Sequence, residues 1–223
     1  MKIFSNVFEP DGQKIRTENF DLNGKWGKAY FKNNNPITLE LGCGKGEYTV
    51  GLAEKYPERN FIGIDIKGSR MWKGAKYALE NGIVNAVFIR SRIEFVEKLF
   101  GKDEIDEIWM TFPDPFPKKA ANRLSSSFFI NRYKKILKRD GTIHLKTDCR
   151  QLHDYTLKVL KENGLIPEVA SKDLYAPGQQ LDEILSLKTF YEMKFLEENK
   201  SITYLRFKMK QTDKLSEPYI PWD

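Results

Sequence analysis

Short apolar runs alternate with longer amphipathic segments through most of the chain. The apolar runs stop at glycine, acidic or polar residues, which predicts buried strands. The predicted strands cover 37–41, 61–66, 87–89, 105–112, 142–146, 165–170 and 202–209. The segments between them carry apolar residues at helical spacing, and several end at glycine or before proline. The predicted helices cover 47–55, 68–81, 93–100, 125–138, 152–162 and 187–198.

The alternation of strands and helices predicts an α/β fold. Strands joined by helices pair in parallel and form a doubly wound sheet with helices on both faces. Ligands in such sheets bind at the carboxyl ends of the strands, so we expect the chemistry in the turns that follow them. Residues 1–36 are polar and turn-rich with scattered aromatics, which predicts an irregular N-terminal extension with room for a short helix. We expect residues 37–223 to form a single domain.

The amino-acid composition limits the classes of protein to which the chain can belong. The chain has 223 residues, of which 40% are hydrophobic, so it can bury a core. No apolar run approaches the length of a membrane span, and the N-terminus has no apolar signal region. Two cysteines fit a reducing cytoplasm. The formal net charge of +6 points to an anionic partner without identifying it.

The excess charge is concentrated in residues 116–139, which contain no acidic residue. Such a run is often only the solvated face of a helix, and it is also what a surface for nucleic acid needs. We expect the helix over 125–138 to bury one side and to present its basic residues on the other. The basic residues of the run are Lys118, Lys119, Arg123, Arg132, Lys134, Lys135, Lys138 and Arg139.

The turn after the first predicted strand has glycine at every second position, Gly42, Gly44 and Gly46, and an acid before it, Glu40. Glycines let the backbone turn tightly and approach a ligand closely. A dinucleotide site would need glycine where Glu47 stands, and a P-loop would need serine or threonine at position 46. The turn instead suits a ligand with a positive charge and no phosphate, such as S-adenosylmethionine.

Asp65 lies near the end of the second predicted strand, 19 residues after Gly46. In Rossmann-like sites a carboxylate about 20 residues beyond the glycine turn meets ribose hydroxyls. The alternative is that Asp65 caps the next helix and that the glycines only make a turn. Because the turn and the acid agree in order and spacing, we favour a site for S-adenosylmethionine.

The fourth predicted strand runs into a segment with three prolines within residues 113–117. Proline fixes φ, so this loop is stiff and holds one carboxylate, Asp114, at a strand end. Such a loop can position a reacting group, and a proline-rich turn with a capping aspartate would have the same pattern.

Five motifs together resemble those of bacterial tRNA (guanine-N7-)-methyltransferases. In the family's order they are residues 40–46, Asp65, residues 112–119, Lys146-Thr147-Asp148 and Thr189-Phe190-Tyr191-Glu192. The resemblance covers the chain from about residue 36 to its end. The Phe-Pro-Asp-Pro-aromatic-Pro-Lys-Lys segment is highly specific to that family. The glycine turn alone indicates only the wider class of S-adenosylmethionine-dependent methyltransferases.

The resemblance implies a Rossmann-like class I methyltransferase fold with a seven-stranded, mostly parallel sheet whose last strand is antiparallel. It implies methyl transfer from S-adenosylmethionine to N7 of a guanine in the variable loop of tRNA, with Asp114 in the active-site position. The residues expected to bind the cofactor are Glu40, Gly42, Gly44, Gly46, Asp65, Arg92 and Asp114. Those expected to bind the substrate are Lys118, Asp148, Thr189, Phe190, Tyr191 and Glu192.

The sequence departs from the family pattern at four places. Phe116 replaces the usual tryptophan of the proline segment, and Asp65 replaces the commoner glutamate. Residues 120–123 are less basic than usual, so we expect the tRNA to rely more on the following helix. Near the adenine the family often has Asn or Asp, and this chain has Arg92, whose side chain accepts no hydrogen bond. Either its backbone makes the contact or the position is Ser91.

The chemistry of guanine fits these residue types. N7 has an exposed lone pair at neutral pH, so no strong general base is expected and the two histidines are more simply structural. Positive charge moves to the purine during transfer, and the Asp114 carboxylate is expected to stabilise it. Glu192 and Asp148 are the expected acceptors for the N–H donors of guanine, and Lys118 is the expected donor to O6.

Two other functions stay open at this stage. A methyltransferase acting on an amine often has Asn/Asp-Pro-Pro-aromatic after its fourth strand, and Asp114-Pro115-Phe116 matches only part of that motif. A non-catalytic RNA-binding protein on the same fold would not need the intact glycine turn or Asp114. Too few Cys and His residues lie at ligand spacing to predict a metal site. For the oligomeric state, the sequence is compatible with a monomer and with a homodimer.

Overall fold

The computed structural model describes residues 4–178, 181–209 and 214–218. Its strands are β1 (Val7–Phe8), β2 (Ile37–Leu41), β3 (Asn60–Asp65), β4 (Ala86–Arg90), β5 (Ile105–Thr111), β6 (Leu137–Thr147), β7 (Pro167–Ser171) and β8 (Thr203–Lys208). Its α-helices are α1 (Glu47–Lys55), α2 (Gly68–Glu80), α3 (Val96–Leu99), α4 (Ser127–Ile136), α5 (Arg150–Glu162), α6 (Glu183–Ser186) and α7 (Phe190–Glu197). Short 3₁₀-helices cover Lys14–Arg16, Ile93–Phe95 and Ala120–Asn122, and a π-helix covers Trp26–Phe31.

The strands form one sheet in the order β1-β4-β3-β2-β5-β6-β8-β7. Neighbouring strands are parallel except around β8, which runs antiparallel to β6 and β7. After β2, the strands β3 and β4 are added in turn on one side of β2. The chain then crosses over, and β5 pairs with β2 on its other side. The carboxyl ends of β2 and β5 therefore flank the switch point at which ligands bind in such sheets. The predicted α/β fold and antiparallel last strand are confirmed.

The sheet has eight strands within the described residues, so the predicted number of seven is wrong. The additional strand is β1, in which Val7 and Phe8 pair in parallel with Phe88 and Ile89 of β4. Two residues are too few to give a period-two pattern, so β1 leaves no signal in the sequence.

The segment before β2 packs closely against the sheet. The Trp26 side chain is fully buried, and its Nε1 donates to the carbonyl oxygen of Leu99 over 3.0 Å. The Glu104 carboxylate accepts the backbone N–H groups of Gly24 and Trp26, each over 2.8 Å. Phe8 contacts the Trp26 ring edge-on. These residues therefore share the core that lies under β4 and α3.

One predicted helix ends earlier in the structure, and one helix of the structure was not predicted. The helix predicted over 125–138 ends at Ile136, and the chain passes directly into β6. β6 begins with a bulge in which Leu137 pairs with Ile105 and Asp140 has a φ of +60°. Apolar spacing continues through Leu137, so the sequence pattern runs past the end of the helix. The helix predicted over 187–198 is α7, which covers Phe190–Glu197, and the short helix α6 lies before the predicted range.

Apolar side chains fill both faces of the sheet. On one face α3, α4 and α5 pack with Trp26 over the Ile, Leu and Val side chains of the strands. On the other face α1, α2 and the segment around α6 and α7 pack around Phe88 and Trp109. The predicted placement of helices on both faces is confirmed. Among the helices within the described ranges, none is long and apolar enough to span a membrane.

Candidate active site

The glycine turn between β2 and α1 has a left-handed backbone at all three glycines. The φ angles of Gly42, Gly44 and Gly46 are +77°, +55° and +74°. A Cβ on Gly46 would lie 2.5 Å from Cε1 of Phe88, so space as well as conformation excludes a side chain there. A Cβ on Gly42 or Gly44 would meet only open space. The turn therefore presents bare backbone that a ligand can approach closely.

The Asp65 carboxylate joins the glycine turn to the start of α2. Its Oδ2 accepts the backbone N–H of Gly44 over 2.9 Å, and its Oδ1 accepts that of Lys67 over 2.7 Å. The structure thus brings the turn and the acid together, as their spacing predicts. Each carboxylate oxygen keeps a lone pair for a further donor such as a ribose hydroxyl. The contact with a ribose itself stays a prediction.

Glu40 lies behind the turn and is buried. Its carboxylate accepts the backbone N–H and the hydroxyl of Thr49 through Oε2, and the Thr111 hydroxyl through Oε1 over 2.6 Å. Burial raises the pKa of Glu40 to about 7, and the threonine hydrogen bonds oppose that rise. A cation bound in the turn would favour the ionised carboxylate. Direct contact of Glu40 with the cofactor stays a prediction, since both of its oxygens already accept hydrogen bonds from the protein.

The loop after β4 also comes close to Asp65. The backbone N–H of Ser91 donates to the Asp65 carbonyl oxygen over 3.1 Å. The exposed Arg92 side chain donates to Glu94 over 3.0 Å. The adenine contact, whether from the Arg92 backbone or from Ser91, stays a prediction. The bare backbone of the turn, the Asp65 carboxylate and the buried Glu40 carboxylate together fit a nucleoside with a cationic end, which is the chemistry of S-adenosylmethionine.

The proline loop that follows β5 is held in a strained conformation. Phe112 and Phe116 have φ angles of +51° and +41°, a region that costs about 1–3 kcal/mol for a residue other than glycine. The backbone N–H of Phe112 donates to the Lys146 carbonyl oxygen over 2.8 Å, which ties the loop to β6. Asp114 lies between the two strained residues and is exposed. The loop therefore presents one carboxylate to solvent from a rigid backbone.

Arg123 holds this loop from the protein side, a role that the sequence does not indicate. Its guanidinium donates to the carbonyl oxygens of Pro115, Phe116 and Pro117 at 3.0–3.3 Å, and the side chain is 1% exposed. The guanidinium also lies 4.2 Å from the ring centroid of Tyr155 in α5. The sequence pattern groups Arg123 with the surface cations, because nothing in its spacing shows that the chain folds back over it.

The predicted apolar side of α4 is buried, but the basic residues of 116–139 do not form one open surface. Arg123 is buried under the proline loop. Lys135 pairs with Glu97 over 2.7 Å, and Lys138 pairs with Asp106 over 2.7 Å. Arg132 lies 3.7 Å from the same Glu97 carboxylate. Acids from α3 and β5, distant in sequence, therefore offset part of the positive charge of this run.

Glu192 of α7 is fully buried in an ion pair with Lys146 of β6. The two charged groups are 2.7 Å apart, and Glu192 also accepts the Tyr175 hydroxyl over 2.6 Å. Lys146 donates in addition to the carbonyl oxygens of Leu185 and Leu187. Burial lowers the pKa of Lys146, and the Glu192 charge opposes that shift. The second Glu192 oxygen, Oε2, has no hydrogen-bond partner within the described residues.

The other predicted substrate residues of α7 lie around its first turn. Thr189 caps the helix by accepting the backbone N–H of Glu192 over 3.2 Å. Phe190 and Tyr191 are exposed, with 46% and 39% of their surface accessible. Lys45 of the glycine turn lies 3.6 Å from the Phe190 ring centroid. The structure thus brings α7 against the glycine turn and leaves its aromatic side chains open.

Lys118 and Asp148 follow two neighbouring strands, β5 and β6. Lys118 is exposed on the proline loop. Asp148 is half-buried, and burial raises the pKa of its carboxyl group. The nearest cation of an ion pair is the Lys200 ammonium, 3.8 Å from Asp148 Oδ2. Both residues therefore lie at the carboxyl edge of the sheet, the edge at which the sequence predicts the substrate.

The two histidines are packing residues, as predicted. His144 stacks on Trp109 with ring centroids 3.9 Å apart, and its Nδ1 lies 2.8 Å from the Tyr204 hydroxyl. His153 is buried in α5. Burial lowers the pKa of each imidazole. In the parts of the chain that the structure describes, no group of three His, Cys, Asp or Glu side chains is arranged to hold a metal ion.

The Lys146–Glu192 pair gives a first prediction. Glu192→Gln leaves the Lys146 ammonium buried without a counter-ion, which typically costs about 3–5 kcal/mol of unfolding free energy. We expect Lys146→Met combined with Glu192→Gln to recover part of that loss, as measured by urea unfolding. We also expect Glu192→Gln to raise the KM for RNA or lower kcat more than it weakens cofactor binding.

Glu197→Gln, an exposed position on the same helix, serves as the matched control. Equal stability of Glu192→Gln and this control would contradict the assignment of a buried ion pair. Equal weakening of cofactor binding and turnover would contradict the substrate-side role of Glu192.

Comparison with known proteins first defines the class. A sequence model described as "Putative methyltransferase" matches residues 34–205. The solved structure of the 16S rRNA methyltransferase KamB superposes with a TM-score of 0.64 at 14% identity, covering 86% of this chain and 95% of that one. An antibiotic-related methyltransferase superposes with a TM-score of 0.56 at 15% identity, covering 78% and 87%. The fold is that of an α/β class I methyltransferase.

Curated relatives define the family within that class. The tRNA (guanine-N(7)-)-methyltransferase of Christiangramia forsetii is 50% identical over 93% of both chains. The protein of the same name from Bacteroides fragilis is 47% identical over 99% of this chain and 87% of its own. The chain therefore belongs to the tRNA (guanine-N7-)-methyltransferase family. It is a methyltransferase whose methyl donor is S-adenosylmethionine.

Proposed function

We propose that this protein transfers a methyl group from S-adenosylmethionine to N7 of a guanine in the variable loop of tRNA, in the cytoplasm. The observation that carries the proposal is the hydrogen bond between Glu40 and Thr111, 2.6 Å long. It joins the strand that enters the glycine turn to the strand that enters the Asp114 loop. This bond supports the proposal because it would hold a cofactor in the glycine turn and the Asp114 loop at one switch point of the sheet.

The cofactor supplies an electrophilic methyl group on a sulfonium. The protein has to hold the guanine with N7 in line with that group, since N7 needs no deprotonation. The rings of Phe116 on the proline loop and of Phe190 and Tyr191 on α7 are exposed and offer stacking partners for an unpaired base. The rigid proline loop keeps Asp114 fixed while positive charge develops on the purine, and a preorganised carboxylate stabilises that charge.

The guanine edge needs an acceptor for its N–H groups and a donor for O6. Lys118 is exposed and Asp148 is half-buried after the ends of β5 and β6, whereas the Glu192 carboxylate is fully buried in its ion pair with Lys146. This geometry favours Asp148 as the acceptor and Lys118 as the donor. Glu192 would then act by holding α7, and with it Phe190 and Tyr191, against the glycine turn.

The test is methyl transfer from labelled S-adenosylmethionine to an unmodified tRNA transcript, followed by nucleoside analysis. We expect 7-methylguanosine as the only labelled nucleoside. A transcript in which 7-deazaguanosine replaces guanosine lacks N7 and should accept no label, although its shape is unchanged. A transcript with adenosine at the variable-loop guanine locates the methylated position.

Each contrary result identifies one of the competing functions. Label on an exocyclic amine, or on the 7-deazaguanosine transcript, would identify a methyltransferase with another nucleophile. Binding of both S-adenosylmethionine and tRNA with no transfer would identify a non-catalytic RNA-binding protein.

A further inference from the structure

A second basic stretch of the chain lies beside the cofactor site and is not used by the function proposed above. Residues 66–79 contain four cations and no acidic residue. They begin directly after Asp65 and run along α2. The cations of this stretch are Lys67, Arg70, Lys73 and Lys76.

Most of the positive charge on this stretch has no acidic partner in the described residues. Lys67, Arg70 and Lys73 are exposed, and within residues 4–178, 181–209 and 214–218 none of the three has an ion-pair partner. Lys76 lies 3.6 Å from Glu80, one turn further along the helix. In the 116–139 run, by contrast, acids of α3 and β5 neutralise several cations.

Exposed apolar surface lies among these cations. The side chain of Trp72 is 43% accessible and that of Ile66 is 55% accessible. Together with Lys67, Gly68, Ser69 and Arg90 they line an open cleft of about 660 Å³. The inner face of α2 is already packed on the core through Met71 and Ala75, so Trp72 is not needed there. We call Ile66, Lys67, Arg70, Trp72, Lys73 and Arg90 the Trp72 surface.

We propose that the Trp72 surface binds the tRNA substrate, with Lys67, Arg70 and Lys73 on backbone phosphates and Trp72 stacked on an unpaired base. Unpaired cations around an exposed aromatic ring are the combination that binds single-stranded nucleic acid without sequence preference. The inference rests on the proposed function, because it takes tRNA as the partner. It adds a contact region at the Asp65 end of the site, whereas the predicted guanine-binding residues lie at the Asp114 end.

The charge pattern favours RNA over a protein partner. A protein interface is depleted of lysine at its centre, whereas here lysines stand on both sides of the exposed tryptophan. Lys76 Nζ lies 5.1 Å from the centroid of the Trp72 ring, and the centroid of the Phe4 ring lies 6.3 Å from it. These two contacts support part of the Trp72 ring, and the remainder faces the cleft. A supported ring of this kind keeps its orientation when a base stacks on it.

The test compares two triple variants that each remove three positive charges. Lys67→Ala/Arg70→Ala/Lys73→Ala changes the Trp72 surface, and Lys55→Ala/Lys158→Ala/Lys161→Ala changes exposed lysines on α1 and α5. We expect the first to weaken tRNA binding at least tenfold at 0.15 M salt. It should also flatten the slope of log K against log salt by about 2, since each phosphate contact contributes roughly 0.7–0.9. The second should change both quantities much less.

A single change tests the stacking contact. Trp72→Ala should weaken tRNA binding about fivefold or more with an unchanged salt slope, and Trp72→Phe should restore most of it. Calorimetric affinity for S-adenosylmethionine and the thermal unfolding midpoint should match those of the wild type in every variant.

Equal tRNA affinity and salt slope in the two triple variants would overturn this inference and leave the proposed function intact. Binding of the Trp72 surface to anionic vesicles, with no contribution to tRNA binding, would overturn it in favour of a membrane contact. Failure of the wild type itself to bind tRNA would instead overturn the proposed function together with it.

Discussion

Asp114→Ala is expected to lower kcat for tRNA methylation by about 10²–10³-fold while leaving the fold intact. Removing one preorganised electrostatic group from an active site typically costs about 3–4 kcal/mol of transition-state stabilisation. Asp114 is exposed at the tip of a loop whose conformation is fixed by its prolines and by Arg123, so the substitution removes the charge without removing a structural contact. Single-turnover measurements with saturating tRNA and cofactor would isolate this step.

Asp21→Ala, which removes an exposed aspartate from the N-terminal segment, is the matched control. Circular dichroism and the thermal midpoint should be unchanged in both variants. Asp114→Asn keeps the shape of the side chain and should lose nearly as much turnover, because the charge is the active feature. Near-normal turnover of Asp114→Ala would remove it from the catalytic machinery, and a matching loss of cofactor affinity would make it a binding residue instead.

The strands of the sheet could be predicted because each is a short apolar run with a clear end. β2 stops at Gly42 and β5 runs into the prolines, so the two turns that form the site are marked in the sequence itself. β1 could not be predicted, since Val7 and Phe8 show no alternation and become a strand only because the edge of β4 is available to them. The end of α4 was missed because the apolar pattern continues through Leu137 while the backbone turns into β6.

The candidate site was predictable where its residues are close in sequence. The glycine turn and Asp65 are separated by one strand and one helix, so their meeting follows from the βαβ order. Lys146 and Glu192 meet across 46 residues, and the pattern around each gives no sign of the other. Whether a cation such as Arg123 is exposed likewise depends on the carbonyl groups that fold over it. The contacts that the sequence predicts join neighbouring elements of one βαβ unit. The contacts that it does not predict depend on burial by parts of the chain that lie far away in the sequence.

Acidic and basic groups occupy different parts of the carboxyl edge of the sheet. Acidic groups, Glu40 and Asp65, lie around the glycine turn, where we propose that the cationic cofactor binds. Cations lie outside them, on the proline loop at one end and on α2 at the other. The net charge of +6 is the sum of these acidic and basic regions. The net charge alone therefore says little about an RNA substrate. The positions of the unpaired cations are the informative quantity, and they require the structure.

Arg123 is the position at which we expect the second large effect. Arg123→Ala removes three hydrogen bonds to the loop carbonyls and leaves a space against Tyr155, which should lower the unfolding free energy by about 2–4 kcal/mol. Because those carbonyls belong to residues 115–117, the Asp114 loop should loosen in the folded protein as well. We therefore expect kcat to fall at least tenfold at temperatures where the variant is fully folded, with little change in affinity for S-adenosylmethionine.

Arg123→Lys separates the positioning role from general stability. A lysine keeps the charge, but its single ammonium cannot match the planar fork that spans three carbonyl groups. It should retain most of the stability and still lose turnover. Trypsin cleavage after Lys118 and Lys119 should be faster in this variant than in the wild type, whereas cleavage at exposed lysines of α5 should be unchanged. A variant that loses stability but keeps normal turnover and normal cleavage of the loop would show that Arg123 only fills space beneath it, and the rigidity of the Asp114 loop would then have to come from its prolines alone.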